Sequence, residues 1–116
     1  MAGYTLAQMK TFAMGNKTST TRNPTRTGLV RIRDALVKQQ GKVSYYVWGN
    51  LIAKYNPKAN SLFLSDAGWN TKLTKDRLNS ILPSGIYITQ QKFKWYLKTN
   101  GKMIPWKGSI TIKLKR

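Results

Sequence analysis

The sequence has no cysteine, no histidine and no glutamate, and its acidic residues are three dispersed aspartates, Asp34, Asp66 and Asp76. The absence of cysteine excludes a disulfide framework, and the absence of histidine as well removes the usual ligands of zinc and iron. Three isolated carboxylates disfavour a paired acid–base site, and a serine or threonine nucleophile would have only lysine as its base. No glycine-rich phosphate-binding fingerprint is present. We therefore predict a protein that is not an enzyme and needs no metal or cofactor.

Long apolar runs are also missing. No run is long enough to span a bilayer, and the start, MAGYTLAQMK, lacks the apolar core of a signal peptide. The 116 residues have the usual size of one domain, and the apolar share of 41% is sufficient for a modest core. These features predict a soluble, intracellular protein.

Positive charge is abundant, with 21 lysines and arginines against three acids and a formal net charge of +18. Such self-repulsion opposes a compact state unless a polyanion relieves it. A surface that served solubility alone would mix both signs. The charge therefore predicts a nucleic-acid partner first, and an anionic membrane surface or an acidic protein second.

One helix is predicted over residues 73–82. Thr74 is a good N-cap, because its hydroxyl can accept a hydrogen bond from an unpaired N–H group of the first turn. Asp76 would lie in that first turn, where the helix dipole favours an acid, and Pro83 would end the helix. Apolar residues at helical spacing give the segment one buried face.

The rest of the chain after residue 28 has mostly the period-two pattern of strands. The predicted strands are residues 42–48, 51–55, 61–65, 85–89, 92–98 and 109–116. Residues 29–38 fit a helix or a strand, and the β-branched run favours a strand. Gly49-Asn50 and Asn100-Gly101 are predicted hairpin turns. The predicted fold class is α+β: a mainly antiparallel meander or partly open barrel, one well-capped helix and a C-terminal β-hairpin.

Within residues 92–98, the alternation predicts which side chains are buried. Phe93, Trp95 and Leu97 would share the core face. Lys92, Lys94, Tyr96 and Lys98 would share the opposite face.

The N-terminal segment, residues 1–28, is set apart from a single β-rich domain, residues 29–116. Its polar part, residues 16–28, is predicted to be a flexible basic arm whose Arg22 and Arg26 contact a phosphate backbone. A plain disordered linker is the alternative interpretation.

The block of residues 46–97 resembles small proteins encoded by tailed bacteriophages. The resemblance lies in a Gly-Trp-x-Thr-x-x-Thr-x-x-Arg-x-Asn entry to the helix, preceded by two short strands and followed by a strand that ends in a Trp-Tyr pair. The matching positions are Gly49, Ile52, Leu64, Gly68, Trp69, Thr71, Thr74, Arg77, Asn79, Trp95 and Tyr96. The resemblance implies a viral origin and a β meander with one helix, and it implies no activity.

Nucleic-acid binding requires cations for the phosphates and, for single strands, flat rings on which bases stack. The main predicted site is the face with Lys92, Lys94, Tyr96 and Lys98, extended by Lys113 and Lys115 if the last strand pairs alongside. A second predicted surface combines Tyr46 and Trp48 with Arg31 and Arg33. The helix would add Lys72, Lys75 and Arg77 to the rim of the groove, although a solvated helix surface explains them equally well.

The functional hypothesis is a phage protein that binds single-stranded DNA without much sequence preference, in preference to duplex DNA or RNA. It would act in the host cytoplasm during infection, and a homo-oligomer is one option for its assembly. The alternatives are an interaction protein that inhibits an acidic host replication or transcription protein, and a virion or genome-packaging protein. A ribosome-like RNA binder is a further alternative.

Overall fold

A computed structural model describes residues 3–22, 24–99 and 101–114. The elements, in chain order, are α1 (Leu6–Met14), α2 (Arg26–Leu29), β1 (Asp34–Gln39), β2 (Lys42–Val47), β3 (Asn50–Asn56), β4 (Ser61–Ser65), α3 (Lys72–Ile81), β5 (Ile86–Gln91), β6 (Lys94–Thr99), β7 (Lys102–Pro105) and β8 (Ser109–Lys113). Within the described ranges, no helix is both long and apolar enough to cross a bilayer.

The strands form two antiparallel sheets that do not close into a barrel. The five-stranded sheet has the order β1-β2-β3-β4-β8, and the three-stranded sheet has the order β5-β6-β7. The predicted α+β class is confirmed, with the meander in β1 to β4 and the predicted hairpin between β6 and β7. The last strand, β8, returns to pair with β4 and does not join β6.

The core lies between the two sheets and the helices. Tyr45, Leu62 and Leu64 on the inner face of the five-stranded sheet are fully buried, as are Leu78 of α3 and Leu97 of β6. This burial follows from the alternation of the strands, which sends every second side chain inward.

Helix α3 joins the two sheets. Its Leu78 and Ile81 belong to the core, as the helical spacing predicts. The Asn79 side-chain amide bonds both backbone groups of Ile88, donating to the carbonyl (3.1 Å) and accepting from the N–H (2.7 Å). These bonds pair the N–H and carbonyl groups of Ile88 on the edge of β5 that has no neighbouring strand. They fix the three-stranded sheet against the helix.

The predicted cap of this helix is wrong by one turn. The N-cap is Thr71, whose hydroxyl accepts from the Thr74 N–H at 3.3 Å, and Thr74 itself is buried within the helix. Asp76 therefore lies beyond the first turn, and its carboxylate pairs with Lys72 at 3.1 Å. Two threonines one turn apart offer the same capping chemistry, and the structure uses the earlier one.

The prediction of a strand over residues 29–38 is wrong for residues 29–33. Helix α2 ends at Leu29, a turn follows, and β1 begins at Asp34. Leu29 and Ile32 pack against Ala35 and Val37 in a small second cluster on the outer side of the five-stranded sheet. Leu29 and Ile32 have the spacing of one helix face because both pack into this cluster. In the sequence, that spacing competed with the strand pattern.

Two hairpin turns also differ from the prediction. The β2–β3 loop is Trp48-Gly49, and Asn50 already belongs to β3. The β5–β6 loop is Lys92-Phe93, and both of its residues have positive φ, at 50° and 67°. Two-residue hairpin loops require this conformation, which usually selects glycine or asparagine. Because β6 begins only at Lys94, Phe93 is outside the core and 96% exposed, contrary to the prediction.

The N-terminal segment lies against β1. Ser19 bridges Val37, and the Lys38 N–H donates to the Thr18 carbonyl at 2.8 Å, so this segment covers an edge of the five-stranded sheet. The Lys38 ammonium also donates to carbonyls at the end of α1, including those of Phe12 and Gly15. These bonds satisfy backbone acceptors that the helix leaves unpaired.

Asp34 is the centre of a polar network inside the fold. Its carboxylate accepts hydrogen bonds from the Tyr45 hydroxyl (2.6 Å) and from Nε of both Arg33 and Arg77 (2.9 Å each). The Tyr45 hydroxyl in turn accepts from the Tyr4 N–H at 3.0 Å, which ties the N-terminal segment to the network. Burial alone would raise the pKa of Asp34, but the hydrogen bonds from Tyr45, Arg33 and Arg77 outweigh it and lower the pKa below its ordinary value.

This lowered pKa predicts a loss of stability in acid. The carboxyl has a pKa of about 3.9 in an unfolded chain, so the stabilisation is complete above that pH and is lost as the pH falls through the lower folded value. We expect the free energy of unfolding, measured with urea from about pH 5 to about pH 2, to decrease over this window. Asp34→Asn should be less stable at pH 5 and should have a flatter pH dependence. An unchanged acid dependence in Asp34→Asn would contradict the role given to this carboxyl.

Candidate nucleic-acid interface

The outward side of the three-stranded sheet brings cations and rings together. Directly opposed residues of antiparallel strands share a face, and the register pairs Tyr96 with Thr89 and Pro105, and Lys98 with Tyr87. Adding Lys94 and the hairpin tip gives a surface that we call the basic aromatic face. Its members are Tyr87, Lys92, Phe93, Lys94, Tyr96 and Lys98.

Within this face, a cation lies next to a ring. The Lys98 ammonium is 6.0 Å from the centroid of the Tyr87 ring, and Tyr87 is exposed. The ammonium is therefore held above a flat apolar surface. A phosphate bound to Lys98 would lie close to a ring on which a base can stack.

Phe93 forms the tip of the β5–β6 hairpin. Its ring contributes nothing to the core, since the side chain is 96% exposed, and its φ of 67° is unfavourable for a residue with a large side chain. Exposed apolar groups in strained backbone occur preferentially at binding sites. We therefore include Phe93 among the functional candidates.

A cleft of about 610 Å³ opens beside this tip, between the ends of β6 and β7 and the loop that precedes α3. We call it the Phe93 cleft. Phe93, Tyr96 and Trp106 line it together with Lys94 and Lys107. The Trp106 ring rests at 6.2 Å from the Trp95 ring, so it is supported by the core.

Asp66 borders the Phe93 cleft, and hydrogen bonds from neutral groups occupy its carboxylate oxygens. The carboxylate accepts from Trp106 Nε1 (2.8 Å), Asn70 Nδ2 (2.9 Å) and the Gly68 N–H (2.8 Å). Asp66 is buried. These bonds fix the loop before α3 to the three-stranded sheet.

The electrostatics of the face are one-sided. Residues 85–107 include five lysines and no acid. The other two aspartates of the chain pair elsewhere, Asp34 with arginines and Asp76 with Lys72. Among the described residues, no lysine of the basic aromatic face forms an ion pair with a carboxylate.

The structure removes Arg77 from the predicted binding groove. Its side chain is buried, with the residue only 5% exposed, and its Nε donates to Asp34 at 2.9 Å. A guanidinium in a buried ion pair is not available to a phosphate. The other two helix candidates remain on the surface: Lys72 beside Asp76, and Lys75 with its ammonium 3.4 Å from the Gln90 side-chain oxygen.

The second predicted surface is partly covered. Tyr46 is half-buried against the Leu29 cluster, which makes it a packing residue more than an open platform. Trp48 is 48% exposed, and Arg31 and Arg33 are exposed next to it, although Arg33 also pairs with Asp34. The backbone of Arg33 thus lies beside Trp48, whose N–H donates to its carbonyl, and Tyr46 is not open.

The remaining predicted residues do not extend the main face. Lys113 is exposed on β8 in the other sheet, and its ammonium bonds the Ala59 carbonyl at 3.3 Å. The condition for this extension, that the last strand pairs beside residues 92–98, is therefore not met, because β8 pairs with β4. Arg22 is exposed in the segment before α2. Lys115 and the side chain of Arg26 lie outside the described part of the chain.

Four members of this region were not predicted from the sequence: Tyr87, Phe93, Trp106 and Lys107. Tyr87 had a usable signal, because it alternates with Ile86 and Ile88 and so faces away from the core. Phe93 had none, since Lys92-Phe93 lacks the glycine or asparagine that marks a two-residue turn. Trp106 and Lys107 are placed by the bond to Asp66, which is 40 residues away.

Comparison with known families gives the origin of the chain. A family described as Kyanoviridae Gp96 protein matches residues 6–113, which is nearly the whole sequence. The chain belongs to the Kyanoviridae Gp96 protein family. This assignment confirms the predicted bacteriophage origin, and the matched region includes both sheets and the basic aromatic face. No curated protein and no solved structure matches the chain.

Proposed function

We propose that this Gp96 protein binds nucleic acid on the basic aromatic face, and that its preferred ligand is single-stranded DNA of any sequence. The observation behind the proposal is the alternation of exposed rings and lysines on one open face that has no acid. The net charge of +18 supports a polyanionic ligand in general.

The chemistry of this face suits single strands. Lysine ammonium groups act as point charges for phosphates and release counterions when they bind. The rings of Phe93, Tyr87 and Tyr96 can stack on bases, whereas a duplex hides the flat faces of its bases. Rings and ammonium groups accept any base, so this mode of binding has little sequence preference.

The test is a titration of labelled single-stranded DNA, duplex DNA and RNA of equal length, followed by fluorescence anisotropy. If Lys92, Lys94 and Lys98 each neutralise one phosphate, the affinity for single strands should fall by about 20-fold between about 50 and 200 mM salt. Lys58→Gln is the matched charge control for Lys94→Gln, because Lys58 is exposed in the turn between β3 and β4, on the other sheet. Absence of binding at the lower salt concentration would refute the proposal, and equal affinity for duplex would refute the preference for single strands.

A further inference from the structure

A second cleft, of about 250 Å³, lies between the β2–β3 hairpin tip and the loop before α3. We call it the tryptophan cleft, because Trp48 and Trp69 line it. Its other apolar residues include Ile52 and Leu73. The volume is below the range of about 300–1,000 Å³ that is typical of drug-sized ligands, so the cleft suits one planar ring system.

Both tryptophans leave about half of their surface exposed to solvent. Trp48 is 48% exposed and Trp69 is 58% exposed. Trp48 also adopts a φ of 50°, in a turn position where a large side chain is unfavourable. The β2–β3 tip at Trp48 and the β5–β6 tip at Phe93 thus each carry an exposed aromatic residue in left-handed backbone.

The backbone holds both rings in place. The Trp48 N–H donates to the carbonyls of Ile32 (3.2 Å) and Arg33 (3.0 Å), and the Trp69 N–H donates to the Asp66 carbonyl (2.8 Å). At Gly49, a methyl group would lie 2.6 Å from the Val30 side chain, so the hairpin tip is in close contact with the turn after α2. The backbone that carries both tryptophans is therefore fixed, which lowers the entropic cost of binding.

The surroundings of the tryptophan cleft are complementary to a phosphodiester chain. The two carbonyls that fix Trp48 place the backbone of Arg33 beside it, and Lys72 follows the cleft residue Thr71 on the opposite side. Both side chains reach the surface, where Arg33 also pairs with Asp34 and Lys72 with Asp76. The acid at the cleft, Asp66, is buried and satisfied by three donors. A largely apolar, aromatic lining suits the flat face of a base, and Arg33 and Lys72, each next to a cleft contact, are the cations nearest in the chain to its phosphates. This combination does not match a second copy of this basic chain.

The tryptophan cleft also adjoins the Phe93 cleft. Asp66 lines both clefts, and both lie at the end of the five-stranded sheet where β4 finishes. A strand that passes Phe93 and Trp106 therefore reaches Trp69 by crossing the Asp66 loop.

We propose that the tryptophan cleft binds one nucleobase of the single strand that lies on the basic aromatic face, stacked on Trp48 or Trp69. This inference rests on the proposed function and adds a second, separate site to it. It predicts that the strand turns across the end of the molecule and does not continue along the three-stranded sheet alone.

The first test is fluorine NMR of protein labelled with 5-fluorotryptophan and titrated with a short oligothymidine. The chain has four tryptophans, and Trp48→Phe and Trp69→Phe assign the two exposed ones. We expect both of these resonances to shift with the same dissociation constant that anisotropy gives for the oligonucleotide. If binding is measured by anisotropy and neither resonance moves, the cleft proposal is wrong and the proposed function stands.

The second test measures affinity in variants. Trp69→Ala should weaken binding by about 5- to 150-fold, and Trp69→Leu, which keeps apolar packing but removes the flat ring, should weaken it similarly. Phe63→Ala, on the outward side of the five-stranded sheet and outside the lining of the cleft, is the control and should have no effect. Full affinity in Trp69→Leu would show that the ring is not a stacking surface and would overturn the inference. If the unmodified protein does not bind single-stranded DNA at all, both proposals are wrong.

Discussion

Replacing both Phe93 and Tyr96 with alanine is expected to weaken the binding of single-stranded DNA by about 30-fold or more. Each ring is expected to stack on one base, and loss of a stacked ring costs roughly 1–3 kcal/mol per base. Two such losses correspond to a factor of about 30 at the lower limit, since each 1.4 kcal/mol is about tenfold. The salt dependence should change little, because no cation is removed.

The fold should tolerate this double substitution. Phe93 is outside the core and Tyr96 is only half-buried on the outward face. Thermal unfolding followed by circular dichroism will show whether the variant remains folded, and Phe63→Ala provides a matched removal of a half-buried ring from the other sheet. If the double variant is folded and its affinity is unchanged, Phe93 and Tyr96 do not stack on bases.

Arg77→Met is expected to lower the free energy of unfolding by about 3 kcal/mol. The substitution keeps the apolar stem but leaves the Asp34 carboxylate, which is largely buried, without its main buried partner. Removal of one member of a buried pair typically costs 3–5 kcal/mol. The lower figure applies because Asp34 keeps its bonds from Arg33 and Tyr45.

Lys72→Met is the control for this effect. It breaks the exposed pair with Asp76, and exposed pairs contribute about 0–1 kcal/mol. Urea unfolding of the two variants at neutral pH should therefore separate them clearly. Equal destabilisation would mean that the Asp34 network does not stabilise the fold as the contacts indicate. Folded Arg77→Met should also bind DNA normally, whereas a phosphate contact from Arg77 would make it bind more weakly.

Local patterns predicted the strands where one face is buried. Residues 61–65 alternate cleanly, and β4 occupies these same residues, because Leu62 and Leu64 must face the core. The same rule placed Lys94, Tyr96 and Lys98 on one outward face, which is the centre of the candidate site.

The features that the sequence did not predict depend on contacts between distant residues. Arg77 looked like a surface cation because its partner, Asp34, is 43 positions away. The hairpin at Lys92-Phe93 contradicts local turn preferences, and the surrounding strand register enforces it. Likewise, β8 pairs with β4 although α3 and all three strands of the other sheet lie between them in the sequence. No local signal specifies that partner.

The most direct measurement of the central claim is a map of backbone amide shifts in nitrogen-15 labelled protein, recorded during titration with a single-stranded oligonucleotide. We expect the largest shifts in the β5–β6 tip and β6, at Phe93, Lys94, Tyr96 and Lys98, with further shifts at Trp69. The turn at Lys58 should remain unperturbed. Shifts confined to the outward side of the five-stranded sheet, or no shifts at low salt, would contradict the account.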